Sequence, residues 1–408
     1  MKTIVHVLLS FGLFACVTLK GNEDLLMETR SVWVDKRQLL EGEEVIDGLF
    51  GRLAEANFNA VNLCALFQGY VIYPDSEHME QHLDYRGKDY LQMAIDLAEK
   101  HGLRTYAWME YGFYGYHAAD ITKSDSLGPV FDRNPEWLSI NRDGDYYLRN
   151  PDWGDFLPIS PVARGAQDLL IDIHLEIIER YPFDGIDLDR IRFASPDFCF
   201  SDTARILFLR DTGINLRSLT ANSEKHGVFT EWKKAQLNLF MGRFSARLRE
   251  SRPDILITSA VVPPGRRDAF AQDWPTWAEH GWVDGLSPML YARDIRKSAR
   301  ESHDLVPEGF PVLYGIDCDL NSPQELVEQI EFLRDLGAGG FVVWYAKAID
   351  DALPVLAETV FAEPAEHWSR QQKPVPGYSP PDWEQLNSPS RKSAPPSHGE
   401  REPGQEVR

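Results

Sequence analysis

Two acidic residues, Asp187 and Asp189, stand two positions apart in a segment with the alternating pattern of a β-strand, Phe183 to Phe193. In an extended strand, residues at this spacing point to the same face. A buried strand rarely carries two acids on one face, because each buried carboxylate needs a partner or a changed pKa. Polar groups at the carboxyl end of a strand are what a barrel enzyme needs, since its chemistry lies at that rim. The segment therefore predicts an acidic enzyme site.

Further acidic residues fall near the carboxyl ends of other predicted strands: Asp35, Glu110, Asp294, Asp317 and Asp319. Cleavage of a glycosidic bond needs two carboxyl groups, one protonated to donate to the leaving oxygen and one ionised. We assign the ionised role to Asp189, which a following arginine can orient. We assign the proton-donor role to Glu110, because Trp108 or Tyr111 can exclude water and favour its protonated form. The alternative interpretation is that these acids only form ion pairs under the rim.

Aromatic side chains near the strand ends are candidates for binding a sugar, because flat rings can stack on a sugar face. These candidates are Trp33, Trp108, Trp344 and, as a hydrogen-bond donor, Tyr291. Trp137 and Trp153 lie in a long connection after the third strand and are predicted to line a subsite. Asp187 and Asp317 complete the predicted substrate contacts. Ordinary core packing is the alternative for the aromatic residues that end strands.

Sequence signatures of other kinds of site are absent. The chain has no His-x-His or His-Glu-x-x-His pair for zinc, no Gly-x-Ser-x-Gly elbow and no glycine-rich phosphate or dinucleotide turn. We therefore expect no metal and no cofactor. The net charge of −21 disfavours a nucleic-acid partner, because the phosphate backbone would be repelled. The expected partner is a polysaccharide substrate, and the sequence indicates no protein partner.

Strand and helix patterns alternate over residues 28–362. The predicted strands are Ser31–Asp35, Ala60–Phe67, Arg104–Met109, Gly185–Phe193, Ile255–Val262, Gly285–Tyr291, Val312–Asp317 and Phe341–Tyr345. This order predicts the α/β class and a (β/α)8 TIM barrel. An open doubly wound sheet would also alternate, but it usually has a glycine-rich turn after its first strand. The segment Trp33-Val34-Asp35-Lys36 is not such a turn.

Helical patterns and two long insertions separate these strands. One helix is predicted within Glu44 to Phe58, with an apolar face made of Val45, Ile46, Leu49, Phe50 and Leu53. Another is predicted over Gln324 to Leu336, after a serine cap and a proline. The insertions run from Tyr111 to Pro161 and from Ala194 to Thr230, after the third and fourth strands. Both overhang the predicted rim, where long loops are typical of substrate-binding walls or lids.

Both ends of the chain lie outside the predicted barrel. Residues 1–19 have one early lysine and then an uncharged apolar run, which predicts an export signal peptide. The segment Leu13-Phe14-Ala15-Cys16 resembles a bacterial lipobox, so we expect a periplasmic or outer-membrane lipoprotein attached to the membrane by a lipid on Cys16. The alternative is a non-lipidated signal and a secreted protein. Residues 363–408 are rich in Pro, Ser and charge and predict a disordered tail.

Seven segments carry a resemblance to a known family: Arg30–Val34, Phe58–Asn62, Gly102–Glu110, Asn134–Trp137, Tyr181–Phe193, Val283–Tyr291 and Gly339–Trp344. Together they resemble the glycosyl-hydrolase-like 10 family, which includes bacterial envelope lipoproteins that act on denuded peptidoglycan glycan. The resemblance implies a barrel, an exported protein and a glycan substrate, and it matches Asp189 to the family's recurrent strand-end aspartate. We therefore expect a glycoside hydrolase that uses paired carboxyl groups. The alternative is a barrel that binds glycan without cutting it.

Overall fold

The computed structural model describes residues 26–151, 153–219, 225–368 and 378–380. The predicted signal peptide, with Cys16, lies outside these ranges, as does most of the predicted tail. The strands are β1 (Thr29–Val34), β2 (Ala60–Phe67), β3 (Tyr70–Val71), β4 (Arg104–Met109), β5 (Tyr114–Ala118), β6 (Leu148–Asn150), β7 (Gly154–Pro158), β8 (Gly185–Leu188), β9 (Leu256–Val261), β10 (Gly285–Pro288), β11 (Leu313–Asp317) and β12 (Gly340–Trp344).

Eight of these strands form one parallel sheet. Their order in space is β10, β9, β8, β4, β2, β1, β12 and β11, and the short β3 pairs with β2 outside this path. Two isolated parallel bridges, Leu286 with Val312 and Met289 with Gly315, join the two edges and bring the sheet nearly to closure. Each of the eight corresponds to a predicted strand. The prediction of a (β/α)8 TIM barrel is therefore confirmed.

Helices cover the outside of the barrel. They are α1 (Lys36–Leu40), α2 (Glu43–Glu55), α3 (Tyr90–Lys100), α4 (Pro129–Arg133), α5 (Arg164–Arg180), α6 (Asp202–Thr212), α7 (His226–Ser251), α8 (Arg267–Phe270), α9 (Trp274–Glu279), α10 (Arg296–Asp304), α11 (Pro323–Asp335) and α12 (Leu353–Glu358). Among the described residues, none of these helices combines the length and apolar character that crossing a membrane requires.

Local sequence explains where the helices begin and which face they bury. The Ser322 hydroxyl caps α11 by accepting from the Glu325 backbone N–H, and the Glu325 carboxylate accepts from the Ser322 backbone N–H, as in a capping box. On α2 the predicted apolar face is buried except for Val45, which is 47% exposed. The prediction for Val45 is wrong because the residue lies in the first turn, at the edge of the apolar face rather than on it.

The two long insertions differ in structure. Within Tyr111 to Pro161, strands β5, β7 and β6 form a separate three-stranded antiparallel sheet. The connection from Ala194 to Thr230 carries α6. Strand β8 is shorter than predicted, ending at Leu188 rather than Phe193. The backbone turns there because Arg190 adopts a positive φ of 54°.

The junction between β1 and β12 depends on a glycine. Gly340 pairs with Thr29 in the sheet, and its φ is +154°. A Cβ at this position would lie 2.2 Å from the Thr29 carbonyl oxygen, a distance that no real carbon–oxygen contact reaches. The absence of a side chain therefore lets the first and last strands of the barrel approach.

We predict that Gly340→Ala lowers the free energy of unfolding by roughly 1–3 kcal/mol beyond the backbone cost of replacing glycine. Gly87→Ala is the matched control, because Gly87 also has a positive φ, +89°, yet no atom lies within 4 Å of the point that an added methyl group would occupy. Urea unfolding of both variants measures the difference. Equal losses would contradict the steric role of Gly340.

Candidate active site

A fully buried carboxyl lies beneath the mouth of the barrel. Asp187 on β8 accepts hydrogen bonds at Oδ2 from Trp33 Nε1 and Asn62 Nδ2, both at 2.8 Å, and at Oδ1 from Thr258 Oγ1 at 2.8 Å. These donors come from β1, β2 and β9. Burial raises the pKa of Asp187 to about 6, although the three donors act in the opposite direction. Because it has no exposed surface, Asp187 holds neighbouring side chains rather than the substrate for which it was a candidate.

The layer above Asp187 places two acids on neighbouring strands. Trp108 pairs with Asp187 in the parallel register of β4 and β8, so Glu110 and Asp189 occupy the next inward positions. The Gly112 backbone N–H donates to the Asp189 carbonyl at 3.2 Å, which keeps the two chain segments together beyond the strands. A Cβ on Gly112 would lie 2.4 Å from that same carbonyl oxygen. The structure thus brings together the two residues that we predicted to be catalytic.

Asp189 is held by donors of the segment that follows it. Its Oδ1 accepts from the Arg190 backbone N–H at 2.6 Å and lies 3.3 Å from Arg192 Nη1. The side chain remains 11% exposed at the mouth. Asp189 is therefore held in place by a backbone donor and a guanidinium while part of its side chain reaches the mouth.

Glu110 lies between two cations. Lys36 Nζ is 2.9 Å from its Oε2, and Arg190 Nη2 is 3.7 Å from its Oε1. Burial opposes the charged form of Lys36, but the charges of Glu110 and Asp35 outweigh it and raise the pKa of the ammonium group. Both carboxyl oxygens of Glu110 therefore have a cation as a neighbour, and its role as proton donor stays a prediction.

Arg190 lies beside both acids. From the sequence, Arg190 or Arg192 was expected to orient Asp189; in the structure the Arg190 backbone N–H donates to Asp189, and its guanidinium lies beside Glu110. The same guanidinium lies over the rings of Tyr111, Tyr114 and Phe156, at 4.9, 5.2 and 5.3 Å from their centroids. These aromatic contacts fix the cation beside Glu110. Lys36 was not predicted from the sequence to belong to the site. The available signal was a lysine directly after the first predicted strand, which ends at Asp35.

The seventh barrel strand, β11, contributes a third acid. Tyr314 on β11 points outward and donates to the Ala299 carbonyl at 3.2 Å. Gly315 faces inward, where an added Cβ would lie 3.3 Å from a Trp33 ring carbon. Asp317, two residues after Gly315, therefore points inward, one layer above Trp33.

The surroundings of Asp317 differ from those of Glu110. Its Oδ1 accepts from the backbone N–H groups of Asp319 and Leu320 at 2.9 and 3.1 Å. Within the described residues, no cationic side chain pairs with it. Burial raises the pKa of Asp317 in spite of these two donors, and the negative charge of Asp319 adds to the rise. Asp317 is therefore a further candidate to hold a proton at the mouth.

Tyr291 is located near the acids of the mouth. Burial raises the pKa of its hydroxyl well above the usual range, and the negative charges of Asp189 and Asp317 act in the same direction. Its ring lies 6.0 Å from that of Trp344, centroid to centroid. The phenol therefore stays protonated and is able to donate a hydrogen bond to a ligand at the mouth, the role for which it was a candidate.

The predicted aromatic platform is divided between core and surface. Trp33 and Trp108 are each 1% exposed and pack against each other and Trp344, with centroids 5.9–6.3 Å apart. Trp33 and Trp108 thus support the site from below, and Trp344 alone of the three is partly exposed. Trp137 packs near Gly165 at the start of α5. Trp153 is 70% exposed beside the β6–β7 turn.

The remaining strand-end acids have structural partners or lie in solvent. Asp35 caps α1 and contacts Lys36 Nζ at 3.0 Å. The Asp294 side chain is 79% exposed and lies 3.6 Å from Arg296. In the part of the chain that the structure describes, no group of three or more His, Cys, Asp or Glu side chains is arranged to hold a metal ion.

Solved structures with the same fold define the class. The glycoside hydrolase domain of PgaB (BpsB) from Bordetella bronchiseptica has a TM-score of 0.60 and 16% identity, covering 80% of this chain and 99% of that one. The catalytic domain of the β-amylase of Paenibacillus polymyxa has a TM-score of 0.62 and 11% identity, covering 83% of this chain and 99% of that one. At these identities the likeness shows the fold alone, that of the TIM-barrel glycoside hydrolases.

Sequence comparison gives the family. The family model described as "Glycosyl hydrolase-like 10" matches residues 28–307, more than half of the chain. The protein therefore belongs to the glycosyl hydrolase-like 10 family, as its motifs indicated. A curated relative, glycosyl hydrolase DigH of Escherichia coli strain K12, is 23% identical over 239 residues, covering 52% of this chain and 48% of DigH. The chain thus spans about half the length of the curated relatives that it matches.

We predict that Asp187→Asn removes a pH-dependent loss of stability. The folded protein holds a proton on Asp187 up to a pKa of about 6, whereas an ordinary aspartate loses it near 3.8. Wild-type stability should therefore fall, relative to Asp187→Asn, by roughly 3 kcal/mol as the pH rises from 4 to 7. Urea unfolding of both proteins across this range measures it.

Asp187→Ala is the comparison variant. It leaves the buried Trp33 and Asn62 donors without an acceptor, at a cost of roughly 1–3 kcal/mol for each group at every pH. A difference between wild type and Asp187→Asn that does not change with pH would contradict the raised pKa of Asp187.

Proposed function

We propose that this protein hydrolyses glycosidic bonds of a polysaccharide, the glycan strands of peptidoglycan above all, at the mouth of its barrel. The observation that carries the proposal is the presence at the mouth of Asp189 and a second acid able to act with it, either Asp317 near Tyr291 or Glu110 on the adjacent strand. The family and the fold of its structural relatives support a glycan substrate. The peptidoglycan assignment rests on the family resemblance of the sequence motifs.

The contacts of the acids suggest a division of roles. Asp189, held beside Arg192, faces the anomeric carbon and stabilises the positive charge that develops there or bonds to it directly. Asp317 gives its proton to the glycosidic oxygen as the carbon–oxygen bond breaks. Water supplies the oxygen that replaces the leaving sugar, and its proton returns to a carboxylate. In this division Glu110 keeps Lys36 and Arg190 in place around Asp189, and its predicted role as proton donor is the alternative.

A second candidate function is glycan binding without cleavage. It is favoured by the limited exposure of Asp189 and its contact with Arg192, because an acid engaged in an ion pair also serves a purely structural role. A hydrolase forms cleavage products that depend on the Asp189 carboxylate. A protein that only binds glycan forms no products, with or without that carboxylate.

We also propose that the protein is exported and held at the membrane of the cell envelope by a lipid on Cys16. The apolar segment before residue 20 and the lipobox-like Leu13-Phe14-Ala15-Cys16 support this location. Labelling with a radioactive fatty acid in the producing bacterium tests it. We expect label in the wild type and none in Cys16→Ser; unlabelled wild type found in the medium would indicate the secreted alternative.

We predict that Asp189→Asn lowers glycan hydrolysis by roughly 100-fold or more, because the ionised oxygen is lost while the shape of the side chain is kept. The measurement is release of reducing ends from stem-stripped peptidoglycan and from a panel of other polysaccharides. Asp254→Asn, which replaces a solvent-exposed acid before the amino end of β9, is the matched control and should keep full activity. Equal activity in wild type and Asp189→Asn would reject the assignment, and an inactive wild type that binds glycan would favour the second candidate.

We predict that Asp317→Asn removes the fall in activity at high pH, because that fall reports loss of the donor's proton as the pH passes its raised pKa. In an aryl glycoside, the nitrophenol leaving group departs with little protonation of its oxygen. Asp317→Asn should therefore slow hydrolysis of this substrate far less than hydrolysis of the natural glycan. Glu110→Gln should slow hydrolysis of both substrates to the same extent and keep the fall in activity at high pH. If Glu110→Gln instead removes that limb, Glu110 is the donor.

A further inference from the structure

A cavity opens beside Arg192 and Tyr291, next to the acids of the mouth. It has a volume of about 410 Å³, and its lining includes Arg192, Arg266, Phe270 and Tyr291. Two of these residues also lie near Asp189. Arg192 contacts it at 3.3 Å, and the negative charge of Asp189 contributes to the raised pKa of the Tyr291 hydroxyl. A chain of sugars bound across the mouth can therefore extend into this cavity.

Two guanidinium groups share one aromatic ring in the cavity. The Arg266 guanidinium carbon lies 4.8 Å from the centroid of Phe270, and that of Arg192 lies 5.8 Å from it. Arg192 Nε is buried and has no hydrogen-bond partner among the described residues. Within the same part of the chain, Arg266 forms no ion pair. These arginines thus keep hydrogen-bonding capacity that the described protein groups do not use.

The charge of the cavity contrasts with that of the whole chain. The protein carries a net charge of −21, yet two arginines lie together at this point of the lining. Asp294 also lines the cavity, but its side chain is 79% exposed and lies 3.6 Å from Arg296, so it does not neutralise the pair. Guanidinium groups match the geometry of a carboxylate, with two parallel N–H···O contacts.

We propose that this cavity is a subsite for a sugar residue that bears a carboxylate, next to the bond that is cleaved. Arg266 and Arg192 bind the carboxylate, and the rings of Phe270 and Tyr291 supply apolar surface for the sugar. The inference rests on the proposed function, because it names the chemical class of glycan that the site accepts. A carboxylate of a uronic acid and one on an ether-linked lactyl group present the same chemistry to the two arginines.

The test compares acidic glycans with the same glycans after chemical reduction of their carboxyl groups to alcohols. The acidic arms are stem-stripped peptidoglycan, which carries the lactyl carboxylate, and a polyuronate. We expect Arg266→Gln to raise KM for the preferred acidic glycan roughly 10- to 100-fold, as loss of a charged hydrogen bond does, with little change in kcat. The reduced glycan should show no difference between wild type and Arg266→Gln.

Arg300→Gln is the matched control. Arg300 is also an exposed arginine over an aromatic ring, 5.1 Å from the centroid of Phe332, but it does not line the cavity. We expect its KM values to equal those of wild type. If Arg266→Gln raises KM for acidic and reduced glycans alike, or for neither, the subsite proposal is overturned.

Binding measured without turnover separates the subsite from the reaction. Equilibrium titration of Asp189→Asn, and of Asp189→Asn with Arg266→Gln, against acidic and reduced oligosaccharides reports recognition alone. Carboxylate-dependent binding that the second substitution abolishes supports the subsite even if the wild type cleaves no glycan, an outcome that rejects only the proposed reaction. Cleavage without preference for the carboxylate rejects the subsite and keeps the reaction.

Discussion

The carboxyl of Asp187 joins four strands of the barrel at one buried point. It accepts from Trp33 on β1, Asn62 on β2 and Thr258 on β9 while it belongs to β8 itself. Burying a carboxyl group without hydrogen-bond partners would cost several kcal/mol, so the fold needs these donors at the buried position of Asp187. The position of Asp189 depends on this arrangement, because the register that buries Asp187 also places the next inward residue at the mouth.

Charge compensation then decides what each acid at the mouth can do. Three cations, Lys36, Arg190 and Arg192, lie beside Glu110 and Asp189 in a chain whose net charge is −21. Asp317 has only backbone donors among the described residues and becomes harder to ionise. The acids of the mouth thus lie in different surroundings, and the raised pKa of Asp317 suits it to hold a proton, as acid–base chemistry with like residues requires of one partner.

Much of the fold could be predicted from the sequence, because strand alternation and helical periodicity are local properties. The bounds of β2 and β4 match their prediction, and the two acids we judged catalytic do lie on adjacent strands. What could not be predicted depends on contacts between distant segments. The Lys36–Glu110 pair spans 74 positions in the chain, and the Trp33–Asp187 bond spans 154. Because of these contacts Trp33 is buried as a hydrogen-bond donor to Asp187 instead of forming part of a sugar-binding surface, and Glu110 has Lys36 as a neighbour.

The central claim is that chemistry takes place among the acids at the barrel mouth. The most direct test is a crystal structure of the Asp189→Asn protein with a bound oligosaccharide that the wild type cleaves. The account predicts a glycosidic linkage over the mouth, with its anomeric carbon beside the amide group that replaces the Asp189 carboxyl and its bridging oxygen within hydrogen-bond reach of Asp317 or Glu110. An oligosaccharide bound elsewhere on the protein, with the mouth free of sugar, would contradict the account.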